Sequence, residues 1–66
     1  MKYAAKIKWP DVERPVYLAK LENGEMGYTW SITGAATFPT PTIAEHVAIG
    51  WSPSLKPFVE GVKVSS

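Results

Sequence analysis

The chain has 66 residues, no cysteine and a net charge of +1, with 20% charged and 45% hydrophobic residues. A chain of this length forms one small domain that buries only about 60% of its unfolded surface, and without cysteine neither disulfides nor thiolate zinc sites can stiffen it. The near-neutral charge is far from the strongly basic profile of a dedicated nucleic-acid binder, and no run of eighteen apolar residues offers a membrane span.

Three Trp, three Tyr and two Phe are many for this size, and each can bury roughly 150–250 Å², so an aromatic core is expected. The start, MKYAAKIKWP, has no apolar run of signal-peptide length. With the lack of cysteine, this points to a cytoplasmic protein with residues 1–66 as a single domain.

Residues 2–9 alternate, with Tyr3, Ala5, Ile7 and Trp9 on one side and Lys2, Ala4, Lys6 and Lys8 on the other. Period two with one polar side predicts a strand resting on a core, ended by Pro10. PDVERP reads as a loop, and Pro15 is tolerable where the next strand begins.

In YLAKLENGEMGYTW, Asn23-Gly24 sits between two apolar runs. That is the signature of a two-residue type I′ hairpin. Its register sets Leu21 opposite Met26, Ala19 opposite Tyr28 and Tyr17 opposite Trp30, all facing inward. Val16, Leu18 and Lys20 then face outward, with Thr29, Gly27 and Ser31.

Gly34 closes the third strand. Thr40 can cap a helix with Pro41 at its first position, and Thr42 with Glu45 makes a competing capping box. Ile43, Ala44, Val47, Ala48 and Trp51 form one apolar stripe, and Gly50 supplies a stop. After the loop SPSLKP, FVEGVKV offers a last strand with Val62 and Val64 inward, lying beside the first strand or at an edge; Gly61 could mark a bulge. The order is βββαβ: an α+β fold in which a three-stranded antiparallel meander is covered on one face by a short helix and followed by a short C-terminal strand.

No constellation of catalytic residues emerges. His46 is the only histidine, and a neighbour such as Glu45 points about 100° away around a helix. Asp11 and Glu13 fall short of a calcium or magnesium site, and no glycine-rich segment has phosphate-loop spacing. The reading is a non-enzyme with no cofactor and no metal.

The lysines suggest a partner instead. Lys2, Lys6, Lys8 and Lys20 are expected to share the outer sheet face around Val16, Leu18 and Thr29, a charged rim about an aliphatic centre that suits protein contact. The same face could bind nucleic acid weakly, and an edge strand could join two copies into a homodimer.

Ala35-x-x-Phe38-x-Thr40-x-x-x-Ala44 resembles a strand-to-helix junction of small phage and prophage accessory proteins, in which a β-hairpin precedes the motif. The resemblance implies a binding protein directed at a host component, such as an inhibitor of CRISPR or another defence system.

Overall fold

A computed structural model describes residues 1–64. It is an α+β fold in which four antiparallel strands, β1 (Lys2–Ile7), β2 (Val16–Lys20), β3 (Met26–Thr29) and β4 (Val59–Val64), form one sheet in the order β3-β2-β1-β4. One helix, α1 (Pro41–Trp51), lies on the sheet between β3 and β4 in sequence. The first strand stops at Ile7, two residues before the expected Trp9, because the chain is already turning: Lys8 donates Nζ–H bonds to the carbonyls of Trp9 and Val12.

The β1 alternation is as expected, with Ala5 and Ile7 in the core under α1. Along its full length β1 pairs with β4, from Lys2 opposite Val64 to Ile7 opposite Val59. With β2 it pairs only at Lys6–Tyr17 and Ile7–Val16. Below these positions the two strands part, and residues 36–38 fill the opening. Ala36 donates its N–H to the Leu18 carbonyl at 2.9 Å, and Tyr3 and Phe38 exchange two backbone bonds of 2.8 Å. This insertion helps to explain why Ala4 and Ala19 are buried although they face away from α1.

The hairpin differs from expectation by one residue. Leu21 donates to the Glu25 carbonyl at 2.7 Å and Gly24 to the Leu21 carbonyl at 3.0 Å, leaving Glu22, Asn23 and Gly24 as a three-residue loop. Within this loop Gly24 alone has positive φ, at 86°, whereas a type I′ turn would need it at Asn23 as well. The geometry is instead the three-residue connection closed by a left-handed glycine bulge. The Asn23 carboxamide oxygen reinforces it by accepting the Glu25 N–H at 3.0 Å.

One extra loop residue reverses the facing of β2, since side chains alternate with period two. The observed pairs are Tyr17–Thr29, Leu18–Tyr28, Ala19–Gly27 and Lys20–Met26. Val16 and Leu18 therefore point inward and are 5% and 0% exposed. Tyr17, Ala19 and Leu21 point outward. Met26 and Tyr28 keep the helix side, as expected, while Trp30 lies past the end of β3 at a bend, beneath the Arg14 guanidinium.

After Thr29 the chain leaves the ladder. Ile32–Gly34 form a 3-10 turn where the third strand was expected to continue, and Gly34 packs near the Thr29 hydroxyl on the face away from α1.

Thr40 wins the competition to cap α1: its side chain accepts the Ile43 N–H at 3.1 Å, with Pro41 following at the first helical position. The helix runs through Gly50 to Trp51. Its end is set at Ser52, whose N–H reaches the Ala48 carbonyl at 2.9 Å, with Pro53 next. Ala44 and Ala48 meet the sheet and are fully buried.

The helix sits over β1 and β4. Gly61 of β4 makes this possible, because a Cβ there would stand 2.5 Å from the Pro41 carbonyl oxygen. Gly61 thus marks the inward side of β4. Val62 and Val64, expected inward, share the opposite side with Ala4 and Lys2.

Candidate interaction surface

Because α1 sits over β1 and β4, the core it forms extends across Val16 and Leu18 of β2 but leaves the outermost strand, β3, only partly covered, with Tyr28 43% exposed. The helix flank that looks toward this strand carries Ile43, Val47 and Trp51, spaced four residues apart and therefore stacked along one side. All three are substantially exposed. The sequence stripe was read as one inward face. Its alanines are the stripe residues fully buried against the sheet, since their small side chains allow the closest approach.

Across the gap from this flank stands β3. Tyr28 makes edge-to-face contacts with Trp51 at 5.3 Å and with Trp9 at 5.6 Å between ring centroids. Such pairs contribute about 0.5–1.5 kcal/mol each beyond the area they cover. Even so, Tyr28 remains 43% exposed and Trp30 56%. The Arg14 guanidinium lies over the Trp30 ring, 5.2 Å from its centroid, and Lys20 stands opposite Met26. The result is an aromatic and aliphatic surface with cationic groups beside it. Exposed large apolar side chains gathered on one side with polar groups beside them are the kind of surface that marks a contact site.

The lysine-rimmed face expected from the sequence does not assemble. Val16 and Leu18, its aliphatic centre, are core residues. Lys2 and Lys6 do emerge on the side away from α1, where Lys6 pairs with Tyr17 and Glu60. Lys20 stands on the helix side, Lys8 is engaged by the loop carbonyls, and Thr29 is half-buried beside the 3-10 turn.

Family models, curated proteins and solved structures were compared with the chain. None matches. The function must therefore be argued from the surface itself.

Trp51, at the end of its element, was open to exposure on sequence grounds, but sequence reasoning missed Ile43, Val47, Tyr28 and Trp30 as surface residues because each was assigned to the core. A signal was present. Alanines at 44 and 48 with a glycine at 61 describe a helix pressed onto a sheet, and bulkier residues beside such a seam are displaced to its flanks.

Burial of the Tyr28 phenol between Trp9 and Trp51 raises its pKa above the ordinary 10.0. The neutral phenol is the form this packing favours. Its contribution to stability is complete below the unfolded pKa and is lost as pH rises through the raised folded value. A tyrosinate absorbance titration of the wild type minus Tyr28→Phe should place the Tyr28 step above pH 10. A difference curve centred at or below 10 would contradict the packing described.

Among the described residues, no group of three or more His, Asp or Glu side chains could hold a metal ion. His46 is exposed on α1, and no described helix is long and apolar enough to cross a membrane.

Proposed function

We propose that this chain is a non-enzymatic binding module that modulates or inhibits a protein partner, engaging it through the helix-side surface of Ile43, Val47, Trp51, Tyr28 and Trp30. The observation that carries this reading is the offset helix, which leaves Ile43, Val47 and Trp51 on its flank and Tyr28 on the outermost strand substantially exposed. Aromatic residues flanked by Arg are the composition found at the energetic centres of protein interfaces.

The junction of Ala35, Phe38, Thr40 and Ala44 supports placing the module with phage-type accessory proteins that act on a host defence component. Its residues have definite packing roles: Phe38 lies against the core, Thr40 caps α1 and Ala44 is buried against the sheet. The nucleic-acid alternative relied on four lysines sharing a face, and their placement lends it no support.

The test is capture by the immobilised protein from a lysate of a candidate host, followed by mass spectrometry. Val47→Glu should weaken capture of a specific partner by roughly 10–100-fold, the cost of placing a charge in an apolar contact. Lys2→Glu should leave it unchanged. A partner retained equally by Val47→Glu and Trp30→Ala, and lost with Lys2→Glu, would refute the assignment of the surface.

A further inference from the structure

We propose that β3 pairs with β3 of a second copy of this chain, antiparallel across a two-fold axis at Gly27, extending the sheet from four strands to eight. β3 is one of the two edge strands. In its ladder Leu21 donates to Glu25, so the alternation of bonded pairs turns the backbone groups of Glu25, Gly27 and Thr29 toward β2. Those of Met26 and Tyr28 turn outward, to the open edge.

The two edges are guarded differently. β4 carries Glu60 and Lys63, the kind of charge that discourages strand addition. β3 reads Met-Gly-Tyr-Thr, with no charge and no proline.

The symmetry of this short strand identifies the occupant. With Gly27 opposite Gly27 of the second copy, Met26 falls opposite Tyr28 of that copy, and Tyr28 opposite its Met26. Both are outward-facing, hydrogen-bonding pairs, so one register satisfies the edge groups of both copies with four backbone bonds. The glycines occupy the intervening position, where facing backbones approach most closely, at about 4.5 Å between Cα atoms. On the helix side each Met26 sulfur meets a tyrosine ring, a favourable contact. On the other side Leu21, which lies against Gly27 and is 45% exposed, flanks the glycine pair in both copies.

The area agrees with a weak dimer. Leu21, Met26, Tyr28, Trp30 and the edge backbone cover roughly 400–500 Å² per copy, near the lower limit for a specific interface. Interfaces of that size belong to weak, transient contacts, so association is expected in the micromolar range and above. Pairing also brings the two helix-side surfaces together, so each gains Met26 and Tyr28 of the other copy along its rim. The proposal goes beyond the binding reading and stands or falls separately from it, since its readout is mass and amide protection rather than partner capture.

Sedimentation velocity from about 1 µM to about 1 mM should show a monomer becoming a dimer with concentration. Hydrogen exchange at the Met26 and Tyr28 amides should slow at least tenfold over the same range, while the Gly27 amide, already bonded to β2, changes less. Met26→Pro removes one outward donor without touching the β2 ladder and should remain monomeric throughout. A wild-type protein that stays monomeric at 1 mM overturns the proposal. So does a dimer whose Met26 and Tyr28 amides exchange as fast as in the monomer, which would place the contact elsewhere. The exchange measurement uses the unaltered chain and decides the matter even if Met26→Pro fails to fold.

Discussion

Leu18→Ala should destabilise the protein by about 3–4 kcal/mol, whereas Leu21→Ala should cost less than about 1 kcal/mol. The two leucines lie three residues apart around the same hairpin and have similar sequence surroundings. Their fates differ because of the three-residue loop. Leu18 is fully buried against Ile7, Val16 and the helix alanines, while Leu21 is half-exposed beside Gly27.

Removing the Leu18 side chain leaves a cavity in a core whose largest fully buried side chains, among the described residues, are Ile7, Leu18 and Leu55. Little is available to collapse into it. In a domain of this size each kcal/mol shifts the melting temperature by about 4–8 °C, so Leu18→Ala should lower it by on the order of 15–30 °C. Urea unfolding of the two variants measures the contrast directly. Equal costs, or a larger cost at Leu21, would mean that the ladder follows the two-residue turn after all.

Gly61→Ala should destabilise by about 2–3 kcal/mol, although alanine in place of glycine at an open strand position is favourable by roughly 0.5–1 kcal/mol. The sign reverses because the added Cβ would meet the Pro41 carbonyl oxygen at 2.5 Å and its Cα and Cβ at 2.6 Å. None of these is the free end of a flexible side chain. Pro41 is held by the Thr40 cap at the start of α1, so relief requires lifting the helix from the sheet and loosening Ala44 and Ala5 together. Gly50→Ala is the matched control. A Cβ at Gly50 meets nothing within 4 Å, and the helix should gain about 0.5–1 kcal/mol there. Denaturant midpoints moving in opposite directions for the two variants would establish the close approach; a neutral Gly61→Ala would remove it.

These two residues also mark where the sequence was readable. The Thr40–Pro41 helix start, the alternation of β1 and the presence of a last strand follow from local chemistry, because capping, proline geometry and period-two patterning act over a few residues. The hairpin register does not. Asn-Gly suits a two-residue type I′ turn, and a glycine after asparagine equally suits a three-residue turn with a left-handed closing residue. The two loops differ by one residue, half the period of a strand, so a small local ambiguity moved Val16 and Leu18 from the surface to the core.

The helix flank was hidden for a different reason. The stripe from Ile43 to Trp51 is broad enough to be seated on a sheet in more than one way, and its seating depends on Gly61, distant in sequence. Of the residues expected to form a lysine-rimmed face, Lys2 and Lys6 stand where alternation put them. Lys20 followed the hairpin to the other side.

The ladder between β1 and β4 joins Lys2 to Val64 and Ile7 to Val59, so the earliest strand to be synthesised finds its longest partner in the latest. During translation, which adds about 5–20 residues per second, β1 has no complete neighbour until residues 59–64 have been made. The hairpin and the helix can fluctuate locally before then, but closing a loop of more than fifty residues must precede the gain from sheet formation. The sheet is therefore completed only once β4 is available, and a premature stop anywhere before Val59 should yield a chain that proteases clear rather than a truncated fold.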